Sequence, residues 1–175
     1  FVCQTRRLQE KLTAGIQGDA YNIPYSTVHI GKIIGGRALN IVQDNAQLDM
    51  ELRHLIDTSA GDIQHEIEGI AMQVSDAYPQ ASPITVELIN AYPGLQNDPS
   101  DVTVLWATKF AEAIGSTKVP FGTEAGFFAN LGLTTVVIGP GNMAIDGHQP
   151  DEGLSKIDLV TCDVMLNNIL GELIA

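Results

Sequence analysis

His148 closes a run, Gly139-Pro140-Gly141-Asn142-Met143-Ala144-Ile145-Asp146-Gly147-His148-Gln149-Pro150-Asp151-Glu152, that follows directly on an apolar stretch at 134–138. Gly139 and Gly141 let backbone come close to a ligand because they carry no Cβ, and a neutral imidazole is a donor for Zn²⁺ or a partner for an oxyanion. Taken locally, a single loop histidine is most often an ordinary surface residue. In a second group, Phe121-Gly122-Thr123-Glu124-Ala125-Gly126, a hydroxyl and a carboxylate sit between glycines. Gly122, Thr123 and Glu124 read either as pocket lining or as the start of a helix, where Thr and Glu suit unsatisfied N–H groups. The third group is Gly35-Gly36-Arg37-Ala38-Leu39-Asn40 with Arg53. Arg53 can grip a carboxylate through two parallel hydrogen bonds, with Asn40 assisting. The competing reading pairs Arg53 with Glu51 or Asp49, as exposed strand arginines commonly do.

Other chemistries lose their support. The sequence holds no G-x-S-x-G elbow, no phosphate-binding G-x-x-x-x-G-K-[ST] loop, no G-x-G-x-x-G after a strand and no H-E-x-x-H. His65-Glu66 lacks a second histidine at the required spacing, and His29 and His54 fall in extended segments where a structural role is the simpler one. Nine Lys plus Arg against 21 Asp plus Glu give a net charge of -12, which opposes a polyanion and argues against nucleic acid. A small cationic or zwitterionic substrate is easier to accommodate. Cys3 and Cys162 lie far apart in sequence and form no C-x-x-C, so neither a disulfide framework nor structural zinc is expected. With no apolar run near the roughly 20 residues that span a bilayer and no signal-like start, a soluble cytoplasmic protein without a membrane partner is expected.

The elements that must position these residues follow from periodicity. Residues 1–14 read as a helix with Val2, Leu8 and Leu12 on one face and Arg6, Arg7, Glu10 and Lys11 on the other. Residues 26–34 read as a strand, Gly35-Gly36 as a bend, and 38–42 as a second extended piece. Leu48, Met50 and Leu52 alternate with Asp49, Glu51 and Arg53, the period of a half-buried strand that points Arg53 away from the apolar layer. From Asp62 to Ala77 the stripe Ile63, Ile67, Ile70, Val74 is helical, with Thr58 or Ser59 as its cap. Residues 84–89 read as a further strand. This order, helix–strand–strand–helix–strand, is a ferredoxin-like split β-α-β unit lacking its first strand. Beyond Pro99 the pattern becomes α/β. A helix is expected to bury Val102, Leu105, Trp106, Phe110 and Ile114 and to end at Gly115, a covered strand is expected at 134–138, and a last helix capped by Ser155 is expected to bury Leu159, Cys162, Leu166, Ile169 and Leu173.

Pro24-Tyr25-Ser26-Thr27-Val28-His29-Ile30-Gly31, Gly35-Gly36-Arg37-Ala38-Leu39-Asn40-Ile41-Val42 and Leu48-Asp49-Met50-Glu51-Leu52-Arg53 together resemble the dimerisation domain of the M20 metallopeptidase family. Ala91-Tyr92-Pro93-Gly94-Leu95, Phe121-Gly122-Thr123-Glu124-Ala125-Gly126, Val136-Val137-Ile138-Gly139-Pro140-Gly141 and His148-Gln149-Pro150-Asp151-Glu152 continue the match in order, with Gln43 standing where relatives carry proline. The resemblance implies a partial dimerisation, or lid, domain over 1–91 and the C-terminal part of a zinc-peptidase-like α/β catalytic domain over 92–175. It implies a zinc-dependent amidohydrolase acting on N-acetylated amino acids, with N-acetylornithine, hydrolysed to ornithine in arginine biosynthesis, favoured. Other M20 peptidase or aminoacylase specificities, or a non-catalytic dimerisation module, are the alternatives. His148 matches a ligand of one metal of a two-zinc (or cobalt) site. Asn40 and Arg53 match lid residues that contact substrate, Asn40 in the partner subunit of a homodimer, and Gly122, Thr123, Glu124, Gly139 and Gly141 match the pocket. The family's other metal ligands and its catalytic carboxylate have no counterparts here. They are expected upstream of Phe1, which opens the chain inside a helix and without Met, so these residues alone are expected to be inactive.

Overall fold

The structure is a computed structural model and describes residues 1–111, 117–147 and 149–174. The chain divides into two compact units, Phe1–Ala91 with Lys118–Phe121, and Tyr92–Thr117 with Gly122–Ala175.

In the first unit, helix α1 (Val2–Thr13) is followed by strands β1 (Thr27–Gly35) and β2 (Ala46–Arg53) and helix α2 (Ala60–Ala77). The inward face of α1 is Thr5, Leu8 and Leu12, while Val2, expected inside, is exposed. Thr5 is tolerated there because its hydroxyl donates to the Phe1 carbonyl at 3.3 Å, so that its own polar group is met. Strands β1 and β2 pair antiparallel from Thr27↔Arg53 to Gly35↔Ala46, with a bulge between Ile30 and Lys32. The bulge follows from the spacing of the apolar residues. Val28, Ile30 and Ile33 lie opposite Leu52, Met50 and Leu48, and with a period of two, Ile33 reaches that face only if one extra residue, Gly31, is accommodated. The other face carries the pairs Thr27↔Arg53, His29↔Glu51 and Lys32↔Asp49.

Both helices pack on the apolar face of this hairpin. Leu8, Val28, Ile63 and Ile67 form the core, with Phe1, Leu12, Met50, Leu52 and Ile70 against it. Helix α2 starts as its cap requires: the Ser59 hydroxyl accepts from the Asp62 N–H at 3.1 Å. Gln9 of α1 supplies hydrogen-bond partners for β1, its Oε1 accepting from the Val28 N–H at 2.7 Å and its Nε2 donating to the Ser26 carbonyl at 3.5 Å. The buried Ser26 hydroxyl accepts from the Leu55 N–H at 3.0 Å.

Two strands expected in this first unit are not formed. Residues 38–42 turn instead of extending, the Ile41 N–H donating to the Ala38 carbonyl at 3.3 Å, and Leu39 and Val42 stand in solvent. Residues 84–89 join no ladder. A strand is defined by its neighbour, and the described residues offer 84–89 none: the sheet has two strands, β1 and β2. Where a ferredoxin-like sheet is expected, the described residues form one antiparallel hairpin with two helices. Ile84 is tethered to α2 through its N–H, which donates to the Ser75 hydroxyl at 2.9 Å.

The second unit contains α3 (Val102–Ala111), α4 (Ala125–Asn130), α5 (Met143–Asp146) and α6 (Lys156–Leu173). The expected faces of α3 and α6 are both displaced. Helix α3 buries Val104 and Ala107 and turns Val102 and Leu105 outward. Helix α6 buries Met165, with Cys162 and Ile169 half-buried, and leaves Leu159, Leu166 and Leu173 exposed. Ile114 and Gly115 lie outside the described residues. The Ser155 cap forms as expected, its hydroxyl accepting from the Asp158 N–H at 3.0 Å and donating to Asp158 Oδ2 at 2.7 Å. Glu172 joins the two helices by accepting from Trp106 Nε1 at 2.9 Å and Lys109 Nζ at 2.7 Å. Residues 134–138 form no ladder; Asn97 Nδ2 instead donates to the Thr135 carbonyl at 2.7 Å.

Candidate active site

In the first unit the candidates are Asn40 and Arg53, and the hairpin sets them at opposite ends. Arg53 pairs with Thr27 at the open end of the ladder, whereas Asn40 belongs to the loop beyond Gly35↔Ala46. The ladder between them is roughly 23 Å long at about 3.3 Å per residue. One small carboxylate cannot be held by Asn40 and Arg53 of the same chain along this hairpin. The Asn40 loop is shaped by Gly36, whose φ of +91° is a left-handed value that favours glycine, and by Gln43, whose amide lies beside it. Arg53 Nη2 meets Glu51 Oε2 at 3.1 Å, so the arginine is engaged by the strand neighbour two residues earlier. Of the histidines, His29 is exposed on β1, and His54 Nδ1 lies 2.9 Å and 3.0 Å from the Leu55 and Thr58 carbonyls, a structural arrangement.

In the second unit the structure brings two of the motifs together. A Cβ on Gly122 would lie 2.9 Å from the Tyr92 Cβ, and one on Gly126 would collide with the Pro93 carbonyl. The Tyr92 ring meets Phe127 edge-on with centroids 6.0 Å apart. Gly122 and Gly126 are thus the two places where the 121–126 turn admits the 92–94 segment. Thr123, half-buried, accepts from the Ala125 N–H at 3.2 Å just before α4, whose N-cap is the exposed Glu124. Sequence gives Gly126 no role, and only its being glycine is a signal of close approach.

Gly139, Pro140 and Gly141 lie against α6, where with Thr161, Cys162 and Met165 they line a cleft of about 180 Å³. Gly141 has φ +87°, and Leu154 Cδ1 lies 2.9 Å from where its Cβ would be. His148 lies outside the described residues. Among the described residues no three His, Cys, Asp or Glu side chains gather as a metal ion would require, so the donors described here do not by themselves fit a zinc site. No helix among them is long and apolar enough to cross a membrane.

Residues 4–79, which contain the whole hairpin, α2 and all of α1 but its first two residues, match the peptidase dimerisation domain of the M20 family. Those residues carry a peptidase dimerisation domain of the M20 type. The chain is 31% identical over 151 residues, 85% of its length, to the acetylornithine deacetylases of Salmonella arizonae, Salmonella paratyphi B and Salmonella newport. The chain spans 38% of the length of these relatives.

Proposed function

We propose that the chain is the C-terminal part of an amidohydrolase that removes the acyl group from N-acetylated amino acids, N-acetylornithine foremost, in a cytoplasmic homodimer. The observation that supports this most is the similarity to acetylornithine deacetylases over 85% of the chain, too long to lie within either unit alone. On this reading residues 1–91 are most of a lid through which two copies associate, and residues 92–175 are the last section of the catalytic domain. His148 contributes one donor to a two-zinc centre, and the other donors belong to polypeptide outside these residues. Arg53 grips the substrate carboxylate bidentately. Asn40, some 23 Å along the ladder from Arg53, serves the site of the partner subunit. Gly122, Thr123, Glu124, Gly139 and Gly141 line the pocket, the glycines admitting substrate against backbone.

The test uses the intact protein that contains this chain. Metal analysis and a panel of N-acetyl amino acids should show bound zinc and release of acetate. His148→Ala should lower zinc content and cut turnover by more than the roughly 100-fold that loss of a mere outer-shell partner costs. Full zinc retention and full activity in His148→Ala would overturn the assignment of that residue, and absence of turnover on every N-acyl amino acid would overturn the function.

A further inference from the structure

The side chain that holds Arg53 has its own chemistry. Positions 49, 51 and 53 alternate with the half-buried Leu48, Met50 and Leu52, so Glu51 and Arg53 share the face of the hairpin that the helices leave uncovered. They touch through one contact, Nη2 to Oε2 at 3.1 Å, with side chains 45% and 54% exposed for Arg53 and Glu51. A guanidinium has five N–H donors and a carboxylate about four acceptor positions, so this single contact leaves both groups with capacity to spare, and an exposed pair of this kind is held weakly. The neighbouring carboxylate differs. Asp49 is already met by Gln47 Nε2 at 2.8 Å and by Lys32 Nζ at 3.7 Å.

We propose that Glu51 is a specificity-determining residue: the Arg53–Glu51 pair opens to receive a zwitterion, Arg53 taking the carboxylate of an N-acyl amino acid and Glu51 taking a cationic group at the end of its side chain. This rests on the reading of Arg53 as the carboxylate receptor. Two residues apart on one strand face, the two groups are separated by about 6.6 Å of backbone, within reach of a short aminoalkyl side chain. The exchange replaces one ion pair by two and leaves no charge without a counter-charge. A substrate with a neutral side chain takes Arg53 from Glu51, leaves that half-exposed carboxylate to water and gains no second ion pair. The pair therefore selects for the cation through the second ion pair that only a cationic side chain forms with Glu51.

The experiment compares two N-acetyl amino acids of equal side-chain length, one ending in an amine and one in a methyl group, on the intact protein. In the wild type the amine substrate should have the higher kcat/KM. Glu51→Gln should lower the ratio of the two kcat/KM values by about tenfold, through KM and not kcat. Glu51→Asp should restore part of the preference, and Glu51→Lys should reverse it toward a side chain ending in a carboxylate. A wild type that hydrolyses both substrates without preference, or a Glu51→Gln ratio equal to the wild-type one, overturns the role of Glu51 alone. A wild type that hydrolyses neither overturns the underlying reading, and this one with it.

Discussion

Gly126 and Gly69 are both helical glycines, and the structure assigns them opposite signs. Replacing a helix-interior glycine by alanine gains about 0.5–1 kcal/mol by restricting the unfolded chain. At Gly69 in α2 nothing lies within 4 Å of the added Cβ, so Gly69→Ala should raise the midpoint of thermal unfolding. At Gly126 the Cβ would meet the Pro93 carbonyl, a backbone atom that cannot swing aside. Overpacking of that kind costs about 1–3 kcal/mol and outweighs the gain, so Gly126→Ala should lower the midpoint. Thermal unfolding of both variants in the intact protein checks the pair. Two lowered midpoints would mean that the Gly126 effect is not the collision with Pro93. Sequence alone cannot make this distinction, because both positions read simply as Gly. The same holds at Arg53: its alternation with Leu52 was legible, but whether it faces a ligand or Glu51 depends on a rotamer. The separation of Asn40 from Arg53 was hidden for another reason, since it depends on hairpin register.

The elements that could be read from sequence are those with one apolar face. In β2 and α2 the alternation of 48, 50, 52 and the stripe 63, 67, 70 leave a single side to bury, and these pack as expected. Helices α3 and α6 have apolar residues on nearly every side, so periodicity does not choose a face, and contacts with the rest of the protein do. What joins these two helices is polar and titratable. Glu172 stands in the last turn of α6, where the helix dipole disfavours a negative charge. Hydrogen bonds from Lys109 first and Trp106 second nevertheless hold its carboxyl below the ordinary value of 4.5. A depressed carboxylate stabilises the fold above its unfolded pKa, and that contribution is lost as pH falls through the lower folded value. The α3–α6 contact should therefore loosen on acidification below about pH 4.5, and Trp106, the sole tryptophan, reports it by fluorescence. Glu172→Gln should abolish the fluorescence step. A step of unchanged size in that variant would assign the titration elsewhere. At the other end of α6, Ser155→Ala should cost about 1 kcal/mol in chemical denaturation, as should Ser59→Ala in α2.

At the scale of the whole molecule the conspicuous quantity is surface. The chain exposes 13175 Å², against roughly 8300 Å² for a compact monomer of its mass and about 10,000 Å² for two separate globules of half that mass. Large apolar side chains contribute to it: Ile157, Val160, Val164 and Leu170 on α6 and Leu88 and Ile89 beyond α2 all stand exposed. Hydrophobic surface of this extent drives association, while the net charge of -12 opposes it by repulsion between copies. Salt decides between them. Repulsion between surface charges is screened within about 10 Å at 0.1 M ionic strength, whereas the hydrophobic term is not weakened by salt of this kind. The isolated 175-residue chain should therefore be most dispersed at low ionic strength and associate as salt is added, with binding of a hydrophobic dye at both. The intact protein should hold one oligomeric state across the same range, because on the proposed reading the rest of the polypeptide covers these faces. Sedimentation velocity at two salt concentrations separates the possibilities. Association of the isolated chain that weakens with salt would point to charge pairing, and a dye-silent monomer at both concentrations would show that these faces need no cover at all.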